Sequence, residues 1–281
     1  MTSSGEPLAD PHSIEEHLAE VLSRYDGSPD PRLAEITTAA IRHLHAFVTE
    51  VGLTRDEWWA GIEALTAIGQ LCGPTRQEFV LLSDTLGVSM LVEMINHRAV
   101  VGATEPTVVG PFHVAGAPER ELGATIVVDP TPDDEPVVFS GTVRDTSGQP
   151  VAGARLDVWS TAANGSYDVQ DPGQTAMNMR GVFTADDQGR YEFTGVRPVA
   201  YPIPGDGPAG ALLFANGRHN VRPGHLHMVV SAPGYQTLVT HVFDRASEHL
   251  DDDPVFGVRS SLVRDMSDGR CRFDVVVQPI D

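Results

Sequence analysis

Lysine is missing from the 281 residues: all 19 cationic side chains are arginine, against 39 aspartates and glutamates, for a formal net charge of −20. So large an acidic excess repels phosphate backbones and anionic lipid headgroups, which are bound by clustered Lys and Arg. Nucleic acid and membrane surfaces are therefore not expected partners. Cysteine is nearly absent as well, and neither Cys72 nor Cys271 belongs to a CxxC or CxxH pattern. Two reduced thiols are expected rather than a disulfide framework, and so few sulfurs argue against structural zinc. No stretch approaches the roughly 18 apolar residues of a membrane span. The N-terminal MTSSGEPLADPHSIEEH has neither a basic region nor an apolar core, so a cytoplasmic protein without a secretory leader is expected. What is present is ordinary globular usage, 41% hydrophobic and 21% charged, enough to bury a core in one large domain or two modest ones.

The two parts of the chain have different periods. Ser13–Glu16, Thr54–Glu57 and Thr75–Glu78 each read as an S/T-x-x-E capping box ahead of an apolar-periodic run, and each predicts a helix start. Leu33, Ile36, Ala40, Ile41, Leu44, Phe47 and Val48 form a 3.6-period stripe, Pro29 and Pro31 separate the first two helices, and Gly73-Pro74 supplies a stop. Roughly four helices are predicted before residue 105. Beyond it come short β-like runs separated by turn residues, from PTVVGPFHVAGAP through VVFSGTVRD, ARLDVWST, RYEFTGV, LHMVVSA and TLVTHVF to RFDVVVQPI. About seven close-spaced strands without intervening helices predict an α+β protein, with an N-terminal helical domain at 1–105 and an antiparallel β-sandwich at 106–281. The acidic patches 133–135 and 251–253 read as low-complexity features.

The densest group of chemically able residues lies at 197–230. His225 and His227 are two apart in a strand-like run, so both imidazoles face one side of the sheet and can reach one metal ion. Alone, an H-x-H pair is as consistent with a polar strand edge. Tyr167 in NGSYD and Tyr201 in VAYPIP sit in loops, where packing with a wet hydroxyl is the ordinary reading. Phenolate is nevertheless a hard anionic ligand that suits ferric iron. Two phenolates and two imidazoles would leave residual positive charge for an anionic substrate.

Together GSYD, VRPVAYPIPGDGPAG, GRHNVRPGHLHM and VSAPGYQTLVTHVF resemble the intradiol ring-cleavage dioxygenases. The helical part resembles them too, through LTRDEWWAGIEALTAIGQLCGPTRQEFVLLSDTLGVSMLV and TEPTVVGPFHVAGAP, so the likeness spans nearly the whole chain. YPIPxDGPxG, THVF and DDDPVFGVRSSL are most similar to the hydroxyquinol 1,2-dioxygenase branch. The resemblance implies one non-haem Fe(III) per subunit held by Tyr167, Tyr201, His225 and His227, with Tyr201 leaving as substrate binds. It implies that Arg222 stabilises the anionic substrate ring, a role suited to an always-charged guanidinium. His241 stands where catechol-type enzymes carry a Gln near the ligands. Leu81, Asp84, Val108, Val109, Gly110, Pro111, Phe112, Ile203, Pro204 and Val255 match positions of the substrate pocket. Asp84 would meet a third ring hydroxyl, selecting hydroxyquinol over catechol.

The implied reaction inserts both atoms of O2 into a small aromatic diol or triol. The helical domain would form a homodimer and cradle a phospholipid. Two other readings of the residues stay open. His225, His227 and His241 or a carboxylate could form a cupin-like Fe(II) or Mn(II) site. SGTVRDTSGQPVAGARLDVW with TADDQGRYEFTGV also reads as a transthyretin-like binding module without metal. Between Asp206 and Asp244 no acid occurs, and this window holds Arg218, Arg222 and both histidines.

Overall fold

The computed structural model describes residues 11–73, 76–97 and 102–280. The chain divides into two compact units, Met1–Thr66 and Ala67–Asp281. The first unit contains α1 (Pro11–Ser23), α2 (Pro31–Val51) and the start of α3 (Arg55–Leu71). In α2, the Asp30 carboxylate accepts the N–H of Arg32 and Leu33, Pro31 occupies the first turn, and Gly52 closes the helix at φ 58°. The box at α3 forms as the spacing predicts: the Thr54 N–H donates to Glu57 at 2.9 Å and the Glu57 N–H to Thr54 Oγ1 at 3.3 Å. The Ser13 box does not mark an end, because α1 already includes Ser13. Thr75, of the third, lies outside the described residues.

The second unit adds α4 (Glu78–Thr85) and α5 (Val88–Asn96), where one continuous helix was expected. Gly87 separates them at φ 74°, a left-handed conformation that ends α4 at little steric cost only for glycine. Instead of capping its own helix, the buried Glu78 carboxylate lies 2.9 Å from Arg76 and accepts the N–H of Ala209 at 3.1 Å. The run PTVVGPFHVAGAP forms no strand, only loop with an isolated bridge nearby between Glu119 and Val182.

Two sheets follow. The first is built on β1 (Pro136–Asp145); the second begins with β2 (Arg155–Trp159) and β3 (Arg180–Thr184). Next come β4 (Arg190–Val196), the two-residue β5 (Tyr201–Pro202), α6 (Pro208–Ala215) and β6 (Val221–Arg222). The chain ends with β7 (His225–Ser231), β8 (Leu238–Asp244), β9 (Val263–Arg264), β10 (Arg270–Arg272) and β11 (Val275–Val277). The second sheet runs β3-β2-β7-β8-β9, and β5 pairs with β6 alone. Helix α6 was not anticipated; Gly207-Pro208 starts it between strands, with proline at its first position.

The sheets are mixed rather than purely antiparallel. β4 pairs antiparallel with one edge of β1, while β10 and β11 pair parallel with the other. Only tight hairpins force antiparallel pairing, and the C-terminal segment reaches β1 after a long excursion through the second sheet. Gly141 permits that approach, since a Cβ there would lie 2.0 Å from the Phe273 carbonyl oxygen. The sheets face each other across one core, where Phe183 of β3 and Phe139 of β1 stack on Phe193 of β4 at 4.8 and 5.2 Å. Among the described residues no helix is long and apolar enough to cross a membrane.

Candidate metal centre

Strand β7 alternates as its sequence predicts. Leu226, Met228 and Val230 point into the inter-sheet core, which leaves His225 and His227 together on the other face. Its neighbours complete that face: Trp159 of β2 and His241 of β8 stand opposite His227 on its two sides. The indole stacks on His227 at 4.5 Å and 10°, and Phe112 stacks on Tyr167 at 4.7 Å. Tyr201 arrives through the β5–β6 ladder, which pairs it with Arg222. Tyr167 follows the NGSYD turn, where Gly165 takes φ 77° and Asn164 accepts the Ser166 N–H at 3.0 Å.

The four proposed ligands converge. Tyr167 Oη lies 3.1 Å from Tyr201 Oη and 2.9 Å from His227 Nε2, and His227 Nε2 lies 3.1 Å from His225 Nε2. The tautomer of His225 follows from its partners: Pro223 carbonyl oxygen, 2.7 Å from Nδ1, can only accept, so the proton sits on Nδ1. Nε2 then directs a lone pair at the centre. Burial, aided by the Arg222 charge, pushes His225 down to about 3. Burial also holds His227 and His241 well below the usual imidazole range. These are neutral rings ready to donate. The Tyr167 phenol is driven the other way, well above its ordinary value, by burial and then by Tyr201.

Arg222 is buried beside this cluster, with Nη1 3.0 Å from His225 Nε2. Burial alone would lower its basicity; the Asp253 charge, and then Tyr201, raise it above the ordinary value. On the opposite side Asp168, next to Tyr167, accepts from Arg180 Nε at 2.8 Å and Nη2 at 2.5 Å. The chemistry of the donor set fits a metal ion. Two phenols and two neutral imidazoles, packed with oxygen and nitrogen within hydrogen-bond distance and screened from water, make a pocket where a multivalent cation can displace the Tyr167 phenolic proton that burial retains.

Comparison with known proteins agrees. Residues 30–104 match the family pattern described as catechol dioxygenase N terminus, and residues 108–277 match that described as dioxygenase. The chain belongs to the intradiol ring-cleavage dioxygenase family. Hydroxyquinol 1,2-dioxygenase of Rhizobium sp. (strain MTP-10005) is 51% identical over 258 residues, 91% of this chain and 87% of that one. The 6-chlorohydroxyquinol 1,2-dioxygenase of Cupriavidus pinatubonensis is 49% identical over 92% of this chain and 95% of its own. The solved structure of hydroxyquinol 1,2-dioxygenase from Pseudomonas putida DLL-E4 superposes with a TM-score of 0.89 at 43% identity, covering 96% of this chain and 99% of that one.

In this intradiol dioxygenase chain, Leu81, Val108, Ile203 and Val255 pack into one apolar cluster with Trp159, Tyr167 and Tyr201, and Phe112 rests against it. Asp84 is buried on α4; burial raises its pKa, against a hydrogen bond from Ser89 and the charge of Arg222. Gly110 abuts His227, as a Cβ there would meet the ring at 3.4 Å. Pro204 is half-buried, and Val109 and Pro111 are exposed. His241 is fully buried beside both histidines, and neither ring nitrogen reaches a partner with good hydrogen-bond geometry, the nearest influence being the Val108 backbone. Its donor atom lies within 4.8 Å of those of His225 and His227. The cupin-like alternative gains no carboxylate from Asp244, which faces Arg197 at 2.6 Å. The metal-free module reading fails on the family and on the converging donors.

Three charged residues escaped the sequence reading. Asp168 stood unremarked in NGSYD, Arg180 had no motif around it, and Asp253 was counted as part of an acidic run. The available signal was local: an acid directly beside Tyr167, and an acid two residues before Val255.

Proposed function

We propose that the chain is a ferric hydroxyquinol 1,2-dioxygenase. It inserts both atoms of O2 between the vicinal hydroxylated carbons of hydroxyquinol (benzene-1,2,4-triol), giving 3-hydroxy-cis,cis-muconate, the tautomer of maleylacetate. The observation that carries the reading is the convergence of Tyr167, Tyr201, His225 and His227 at 2.9–3.1 Å beside a buried arginine. Iron(III) on this donor set would supply a Lewis acid and electron sink that makes the bound diolate reactive toward O2. Tyr201, a phenolate while it would hold the iron, takes one proton from the diol on Oη, and the second passes to hydroxide and leaves as water. Arg222 presents a fixed cation where negative charge develops on the ring. Trp159, Phe112, Ile203 and Val255 exclude water. Asp84 accepts a hydrogen bond from the third hydroxyl, and a catechol would leave that buried acid unpaired, a mismatch that discriminates strongly.

Residues 1–105 would serve as the dimerisation domain and phospholipid cradle. That part of the proposal is supported by exposed Leu33, Ile36, Leu44 and Phe47 along α2 and by exposed Trp58 and Trp59 on α3.

The test is oxygen uptake and ultraviolet product spectra with hydroxyquinol and catechol side by side, on iron-loaded protein. Faster cleavage of hydroxyquinol is expected. Equal rates, or a preference for catechol or a chlorocatechol, would overturn the substrate assignment and leave the centre intact. A colourless protein holding stoichiometric iron would overturn the tyrosine ligands.

A further inference from the structure

We propose that Asp253 is a positioning residue that aims Arg222 at the anionic substrate and so sets turnover without touching the substrate. This rests on the dioxygenase reading above. The Asp253 carboxylate grips one edge of the guanidinium, accepting from Nε on Oδ1 at 3.1 Å and from Nη2 on Oδ2 at 3.2 Å, with both side chains 3% exposed. A bidentate grip fixes the plane of the guanidinium as well as its place. Nη1 on the far edge is thereby directed at the metal-binding cluster, 3.0 Å from His225 Nε2.

Asp253 is itself held. Oδ1 accepts the Val255 N–H at 3.3 Å and Oδ2 the Gly257 N–H at 2.9 Å. Residue 257 is packed closely against the pair: a Cβ there would stand 3.0 Å from Arg222 Nη2 and 3.2 Å from Asp253 Oδ2, so that either side chain would have to give by a few tenths of an ångström. On the outer side of the same loop, Asp252 lies 3.0 Å from both His219 and His249, tying the loop to the segment that leads into Arg222. A competing acid makes this grip consequential. Asp84 is close enough to interact electrostatically with Arg222. Freed from Asp253, the guanidinium would turn toward Asp84, leaving the ring and occupying the acid meant for the third hydroxyl.

The test is a double-mutant cycle with Asp253→Asn, Arg222→Gln and both together, on iron-loaded protein. Asp253→Asn is expected to lower kcat about 10²-fold, the effect of removing one aimed donor, with a much smaller change in KM and unchanged iron content and visible absorption. In the Arg222→Gln background the same change is expected to cost less than about threefold, because the group it aims is gone. Equal losses in both backgrounds would mark a general structural role and overturn the proposal. So would an Asp253→Asn kcat within about threefold of the parent. If the buried cation prevents Asp253→Asn from folding, Asp253→Glu keeps the charge pair and shifts the guanidinium by about one methylene. It is expected to lower kcat at least tenfold, as misplacements near 1 Å do, and a kcat within threefold of the parent would overturn the proposal. A second readout needs neither substrate nor the paramagnetic iron: in metal-free protein the Arg222 Nε–H resonance in a 1H–15N spectrum should be shifted downfield and slow to exchange, and should lose both properties in Asp253→Asn. An unchanged resonance refutes the grip; a lost resonance in protein that cleaves no diol refutes only the dioxygenase assignment.

Discussion

Removing Asp168 tests how the Tyr167 side of the centre is supported. Arg180 is 1% exposed, and its guanidinium donates two hydrogen bonds to Asp168 Oδ1, while Oδ2 accepts the Met177 N–H at 2.8 Å. Asp168→Ala leaves a buried cation without its carboxylate, which costs about 3–5 kcal/mol, the orphaned Met177 N–H adding about 1. That is a large share of the 5–15 kcal/mol typical of a folded domain. With a urea slope of about 2 kcal/mol per M, the midpoint should fall by roughly 2–3 M. The assay is urea unfolding of metal-free protein in a Trp58→Phe/Trp59→Phe background, leaving Trp159, inside the affected unit, as the sole tryptophan reporter. Arg180→Met/Asp168→Leu, which removes both charges, should recover most of the loss. The exposed Arg24–Glu20 pair, broken by Glu20→Ala, should move the midpoint hardly at all. A fall below about 0.3 M for Asp168→Ala would refute the reasoning, showing that the pair is no stronger than a surface contact.

Other expectations are independent. Tyr201→Phe should shift or bleach the tyrosinate-to-iron absorption and cut turnover, as read by visible spectra and oxygen uptake. Asp84→Asn should narrow the preference for hydroxyquinol over catechol at least tenfold in kcat/KM, chiefly through slower hydroxyquinol cleavage. Cys271 is buried, and its thiol is pushed up to about 12 by that burial, so Cys271→Ser should leave the number of thiols reacting with Ellman's reagent at pH 8 unchanged in native protein and lower it by one in urea. Acid should destabilise the fold in a defined direction. Arg222 overrides burial to hold Asp253 below the usual carboxylate range, and the Arg76 hydrogen bonds do the same for Asp206, so their stabilisation is present above about pH 4 and lost as pH falls through the depressed values, as thermal melts from pH 6 to 3 would show. Asp84, shifted upward by burial, contributes with the opposite sign: its stabilisation is present at low pH and lost as pH rises through its raised value.

Much of the architecture was legible because it is written in short-range periodicity. The Thr54 box, the α2 stripe and the HLHMVV alternation need only neighbouring residues to be understood, and each formed where the spacing placed it. Elements set by single residues were harder. The α4–α5 break depends on one left-handed Gly87, and α6 on Gly207-Pro208 in a stretch that otherwise reads as loop. Parallel pairing of β10 and β11 with β1 was not legible at all, since no local signal encodes the direction in which a distant segment arrives.

The centre divides in the same way. Sequence alone determined that His225 and His227 share a face, because a strand turns alternate side chains to opposite sides, and that the chain carries a net charge of −20, because charge sums along the chain irrespective of fold. It also showed a window without acids around Arg222. Only the tertiary structure decided that this window is not acid-free in space: Asp253 from a later loop grips the arginine, and Asp84 from α4 lies within reach of its field. Charge acts through distance, and distance between residues far apart in sequence is set by packing. The segment that reads in sequence as a low-complexity acidic patch therefore holds the carboxylate that the buried Arg222 cation requires.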